Sequence, residues 1–152
     1  MSQAKDSLAP KQTIISQFFA FCVALLGIVV MFGWHLKSTT LIQIHPSLVP
    51  MQFNTALGFL LSSMSLLFTL KNYQYIAAVL GLAVCLLGSL TLFEYYNRVD
   101  LGIDQLFMAS NITTYTPFPG RMAANTAFCF FISGAILVLI NLSVRLSQLS
   151  IL

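Results

Sequence analysis

Four apolar runs, at about residues 14–36, 53–71, 75–97 and 123–144, decide what this chain can be. Each reaches the roughly 20 residues that a helix needs to cross the hydrocarbon core of a bilayer. Backbone polar groups find no water there, so each run must satisfy them within a helix. Charged residues make up 7% of the 152 residues, too few to cover a water-facing surface, and 58% are hydrophobic. The expected fold is all-α, a polytopic membrane four-helix bundle. Its parts are a tail at 1–13, a membrane domain at 14–144 and a second tail at 145–152. The run that follows Lys5 and Lys11 exceeds the roughly 7–15 residues of a signal-peptide core, so it reads as a retained first span.

Four spans bring both termini to one side, with Lys5, Lys11, Lys71 and Arg145; Lys37, Arg98 and Arg121 fall on the other. Because basic residues favour the inner side, the termini are expected in the cytoplasm and the long loops outside. The net charge of +3 is too small to suggest nucleic-acid binding. Cys22, Cys85 and Cys129 lie inside the spans, match no metal spacing and read as small buried thiols.

The chain also repeats itself. "MQFNTALGFLLS" (Met51–Ser62) aligns with "MAANTAFCFFIS" (Met122–Ser133), with six identities in twelve at an offset of 71. "VALLGIVVMFGW" (Val23–Trp34) aligns with "VCLLGSLTLFEY" (Val84–Tyr95) at an offset of 61. The bundle therefore reads as one helical hairpin present twice in the same orientation, which implies a pseudo-two-fold axis along the membrane normal. Small residues recur at matched places: Ala20, Ala24 and Gly27 with Gly81, Cys85 and Gly88, and Gly58 and Ser62 with Cys129 and Ser133. Spacings of three and four put each set on one face, where helices can approach closely. Ser62, Ser65 and Thr69 add hydroxyls to the second span, for bonds between helices or to their own backbone.

The polar chemistry gathers in the outer loops. "DLGIDQLF" is expected to form a short amphipathic helix with Leu101, Ile103, Leu106 and Phe107 dipping into the bilayer. "TPFPG" breaks the chain before it re-enters the membrane, and Asn111-Ile112-Thr113 has the form of a glycosylation sequon, without meaning in a bacterium. At the two re-entry points stand Asn54-Thr55 and Asn125-Thr126. They are read either as helix caps or as two facing pairs that line an outward pocket with Arg121 and Glu94. Glu94 has two candidate partners, Arg98 four residues on and Arg121 across the loop; Asp104 lies nearby. Trp34, Tyr95 and Tyr96 read as an aromatic belt at headgroup level. The candidate ligand-binding set is Arg121, Asn125, Thr126, Asn54, Thr55, Glu94, Asp104 and Trp34, with no catalytic or metal-ligating residue among them. His35 and His45 both fall at the outer interface, where they do not form a bis-histidine haem site.

No acid or base lies mid-span, as a proton-coupled transporter would show, and there is no phosphate loop or catalytic histidine motif. The chain is not expected to be an enzyme. The order "GW", "PMQFNTALGFLL", "DLGIDQLF" and "PGRMAANTAFCFFISG" resembles the N-terminal multi-helix membrane region of bacterial sensor histidine kinases and diguanylate cyclases. Asp100, Gly102, Asp104, Pro119, Gly120, Arg121, Met122, Asn125 and Thr126 carry the match. The resemblance implies an inner-membrane input module that passes a signal to a cytoplasmic output, two-component signalling being one case. In those proteins catalytic domains follow the fourth span; here the sequence stops at "NLSVRLSQLSIL", which reads as a detached sensor or a truncated remnant.

The expected function is thus a non-catalytic sensory module of the bacterial inner membrane. It would detect a periplasmic or membrane-dissolved ligand and relay it through the fourth helix. It needs no cofactor, although a quinone or lipid suits such a site as ligand. Its partners would be the bilayer and either a second copy of itself or a signalling protein. The alternatives are an accessory or assembly subunit of a larger membrane complex and, third, a small dimeric transporter.

Overall fold

The computed structural model describes residues 2–43, 45, 48–109 and 118–149. The Asn111–Thr113 sequon, Pro117 and the end of the C-terminal tail lie outside the described residues. The elements are α1 (Ser2–His35), a one-turn α2 (Thr39–Ile42), α3 (Phe53–Leu70), α4 (Gln74–Asn97) and α5 (Ala124–Leu149). A single 3-10 turn, Ile103–Gln105, lies in the second long loop. Among the described residues, four stretches are long and apolar enough to span: Gln12–His35, Phe53–Leu70, Gln74–Asn97 and Ala124–Leu146. Each begins and ends within two residues of the run read from the sequence. This is a multi-pass membrane protein whose spans pack as a helical bundle.

Its outer surface suits lipid rather than water. Phe18, Phe19, Leu86, Phe93, Ile136 and Leu139 are all exposed. Lipid tails are as apolar as these side chains, so hydrophobicity does not drive the helices together; close packing and internal hydrogen bonds must. The repeat supplies both. A Cβ added to Gly27 would lie 2.7 Å from the Ala56 carbonyl oxygen and 3.2 Å from the Leu60 nitrogen. At the matched place, a Cβ on Gly88 would lie 2.5 Å from both the Ala127 oxygen and the Phe131 nitrogen. Each glycine lets its helix rest directly on the backbone of its hairpin partner.

The ends of the two hairpins repeat as well. Trp34 Nε1 donates to the Met51 carbonyl at 2.9 Å, and Tyr95 Oη donates to the Met122 carbonyl at 3.0 Å. Lys37 ends α1 in the left-handed conformation (φ 54°) and Arg98 ends α4 in the same way (φ 55°). The amides that follow, Ser38 and Val99, bond back to the Gly33 and Glu94 carbonyls at 2.9 and 3.2 Å. Such bonds satisfy carbonyls that a helix end otherwise leaves open. All of these pairs are related by the offsets of 61 and 71 seen in the sequence.

Between the hairpins the symmetry is broken. The turn at Lys71–Tyr73 holds α4 against α3, and Ser65 Oγ donates across to the Ala77 carbonyl at 2.8 Å. Asn141 in α5 donates to Thr69 Oγ1 at 2.9 Å and to the Leu137 carbonyl at 2.7 Å. Ser62 Oγ instead bonds within its own helix, to the Gly58 carbonyl at 2.7 Å. No extensive packing joins α1 to α5. A groove of about 600 Å³ opens there, lined by α1, α3 and α5.

Several expectations change on contact with the fold. Cys22 and Cys129 are exposed rather than buried, because each faces away from its hairpin seam. Trp34 is 3% exposed, held inward by its bond to Met51, so it is not part of a belt; of the three aromatics, Tyr95 and Tyr96 are the exposed ones. "DLGIDQLF" makes one 3-10 turn rather than a helix, since Gly102 (φ 75°) bends the chain into it.

Candidate functional site

The loop end of the second hairpin is built around Arg121. Gly120 has φ 85°, and a Cβ there would lie 2.9 Å from the Asp104 carbonyl, so only glycine lets the two loop strands touch. Asp100 Oδ1 accepts the Gly102 amide at 2.8 Å and fixes the bend before the turn. The turn then points Asp104 inward and leaves Leu101, Leu106 and Phe107 exposed, an arrangement suited to an interface with lipid. Arg121 Nε donates to Asp104 Oδ2 at 2.7 Å, and Nη2 donates to the Val99 carbonyl at 3.1 Å. Glu94 Oε2 lies 3.5 Å from Nη2, and Asp100 Oδ1 3.9 Å from it. The guanidinium also covers the Phe118 ring at 3.9 Å and approaches Tyr95 at 5.5 Å. Glu94 Oε1 accepts the Leu101 amide at 2.8 Å. One side chain thus binds α4, the turn and the start of α5 together.

The charges do not balance. Arg121, Glu94 and Asp104 are buried, and Asp100 is half exposed, so three carboxyls surround one cation. One oxygen from each carboxyl lies within 4.8 Å of the others, and the Arg121 guanidinium already serves as the cation among them. At that separation two buried carboxylates repel by roughly 3 kcal/mol for an effective dielectric near 20, less than the attraction of either to Arg121. Burying an excess charge costs several kcal/mol more. Burial accordingly raises Asp104 above the ordinary aspartate range; its bond to Arg121 and that cation's charge oppose the shift, and Asp100 adds to it.

Beside this network lies a pocket of about 550 Å³. Leu26, Val30, Ile42 and Met51 supply apolar walls; Gln52, Thr55, Tyr95, Arg121 and Thr126 supply the polar ones. Thr55 and Thr126 are matched positions of the repeat, so the pocket sits between the two re-entry points. Among the described residues the buried side-chain atoms without a hydrogen-bond partner are Gln52 Oε1, Asn54 Oδ1, Glu94 Oε2, Asp104 Oδ1 and Arg121 Nη1. All of them are at this end of the bundle.

The structure divides the residues that the sequence grouped. Arg121, Thr55 and Thr126 line the pocket. Glu94 and Asp104 form the ion network with Arg121 rather than the pocket wall, and Arg98 caps α4 instead of pairing with Glu94. Asn54 is buried and donates to the Ile103 carbonyl at 2.9 Å; α3 begins with Gln52 as its cap and has no side-chain capping bond. Asn125, its match, is exposed. The two asparagines therefore neither face each other nor share a role. Trp34 belongs to the core of the first hairpin. Gln52, Tyr95 and Asp100 were not in the sequence-derived set; the self-alignment pairs Tyr95 with Trp34, and that match is the signal that points to it.

No protein-family model, curated protein or solved structure matches this chain.

Proposed function

We propose that the protein is a non-catalytic sensory module of a bacterial inner membrane, with the loop end outside and the termini in the cytoplasm. A membrane-dissolved or periplasmic ligand enters the pocket between Thr55 and Thr126, and α5 carries the response to the other side. The observation that supports this most is the position of the pocket: its walls come from both hairpins, and Arg121 belongs to both the pocket and the ion network. A ligand there touches both halves of the bundle, so it can favour one arrangement of them over another. The apolar walls with a polar rim suit a quinone or a lipid. The likeness of "DLGIDQLF" and "PGRMAANTAF" to sensor-kinase membrane regions supports the same reading.

Native mass spectrometry after mild extraction from the source membrane tests it. The expected result is a small amphiphile retained by the wild type and lost in Thr126→Phe, which fills the pocket. Absence of any retained amphiphile would count against the sensor. Stoichiometric capture with a larger membrane complex would favour the accessory-subunit reading instead, for which the open α1–α3–α5 groove offers a place to dock a helix.

A further inference from the structure

The loop-end network holds more acid than its one arginine can neutralise. Glu94 is fully buried and Asp104 nearly so. Each keeps one oxygen, Oε2 and Oδ1, that accepts no hydrogen bond. An oxygen of each carboxyl lies within 4.8 Å of one on the other, and two carboxyls that close up on each other can share a hydrogen bond only when one of them carries a proton. Arg121 approaches both, at 3.5 and 2.7 Å, but its single charge leaves one negative charge over in the buried trio. A shared proton removes that excess and supplies the missing donor.

We infer that Glu94 and Asp104 form a proton-binding site, in which one shared proton sets how firmly the second loop is tied to α4 and α5. The proton forms an O–H bond on one carboxyl, comes from water on the loop side and returns to it. Asp100 marks the water side of the cluster: its half-exposed carboxyl stands 3.9 Å from Arg121. The groups around the pair are Arg121 from the segment just before α5, Asp100 from the loop and, beside Arg121, the Tyr95 ring from α4. α3 meets the residues beside the pair through Phe53, stacked on Phe107, and Asn54, bonded to the Ile103 carbonyl, and neither of these titrates. Burial holds the Asp104 proton to higher pH than an exposed aspartate would. When the proton leaves, the carboxylates repel across the 3-10 turn, and the contact between Ile103 and Asn54 is the first link between the hairpins to loosen. This inference stands apart from the pocket ligand: the site titrates whether or not the pocket is filled.

Infrared difference spectroscopy of the full chain in liposomes, titrated with acid and base, tests it. The expected result is one protonated-carboxyl band per chain that disappears well above the range of exposed carboxylates. The band is lost in both Asp104→Asn and Glu94→Gln and kept in Asp100→Asn and in the pocket-filling Thr126→Phe. Should either of the first two variants not fold, the wild-type band with the other variant decides. A wild type with no such band, or a band that survives both neutral variants, would overturn the inference. A wild type that retains no amphiphile but shows the band would instead remove only the pocket reading.

Discussion

The two hairpins share a scaffold and differ in what it carries. In both, a glycine rests on the partner helix backbone, an aromatic side chain binds the carbonyl before re-entry, and a left-handed basic residue ends the first helix. At the places matched to Glu94 and Arg121, the first hairpin has Gly33 and Pro50. Gly33 packs its backbone against Leu41 and Ile42, so the first loop closes over an apolar contact. The second loop closes over a buried ion network. One scaffold therefore does two things: the first hairpin seals its end, and the second places charge where it can respond to surroundings.

The comparison breaks most visibly at Arg121. Arg121→Ala leaves Glu94 and Asp104 buried without a cation, and losing one partner of a buried pair costs about 3–5 kcal/mol. The matched change Pro50→Ala is expected to cost under about 1 kcal/mol. Reversible unfolding in mixed micelles measures both. Next come the seams. Gly88→Ala and Gly27→Ala each force a Cβ onto backbone and should cost about 1–3 kcal/mol, Gly88 more because its contacts are the shorter. Sensitivity at one glycine and none at the other would mean that the hairpins are not packed alike.

A pH series sharpens the difference further. Asp104 keeps its proton in the fold at pH values where the unfolded chain has released it. Stability is then highest below the ordinary aspartate range and falls as pH rises through the folded-state value. Asp104→Asn should flatten that slope. The smallest contrast is between the asparagines. Asn54→Ala loses the bond to Ile103 and should cost about 1–2 kcal/mol, whereas exposed Asn125→Ala should stay within about 0.5 kcal/mol. The same unfolding assay distinguishes them.

Much of this was legible in the sequence, for identifiable reasons. Span ends follow hydropathy, and the hairpin repeat follows from matched glycines and the shared Met-x-x-Asn-Thr-Ala. What the sequence hid is direction. Periodicity does not say whether an interfacial aromatic turns inward, so Trp34 reads as part of a belt with Tyr95 and Tyr96, although only those two are exposed. An identical Asn-Thr pair looked like an identical role, yet only the second loop is long enough to bring the Ile103 carbonyl over α3. Glu94 had two arginines in reach along the chain. The choice of Arg121 depends on the glycine bends at 102 and 120, which fold Asp104 and Arg121 onto each other.

The central claim is that the second hairpin's loop end is held by one coupled charge network absent from the first. A double-mutant cycle on Arg121→Met and Asp104→Asn, read by unfolding in mixed micelles, tests it most directly. The account predicts that the double variant is less destabilised than the sum of the singles, by about 2 kcal/mol. Singles that add to within about 0.5 kcal/mol would contradict it.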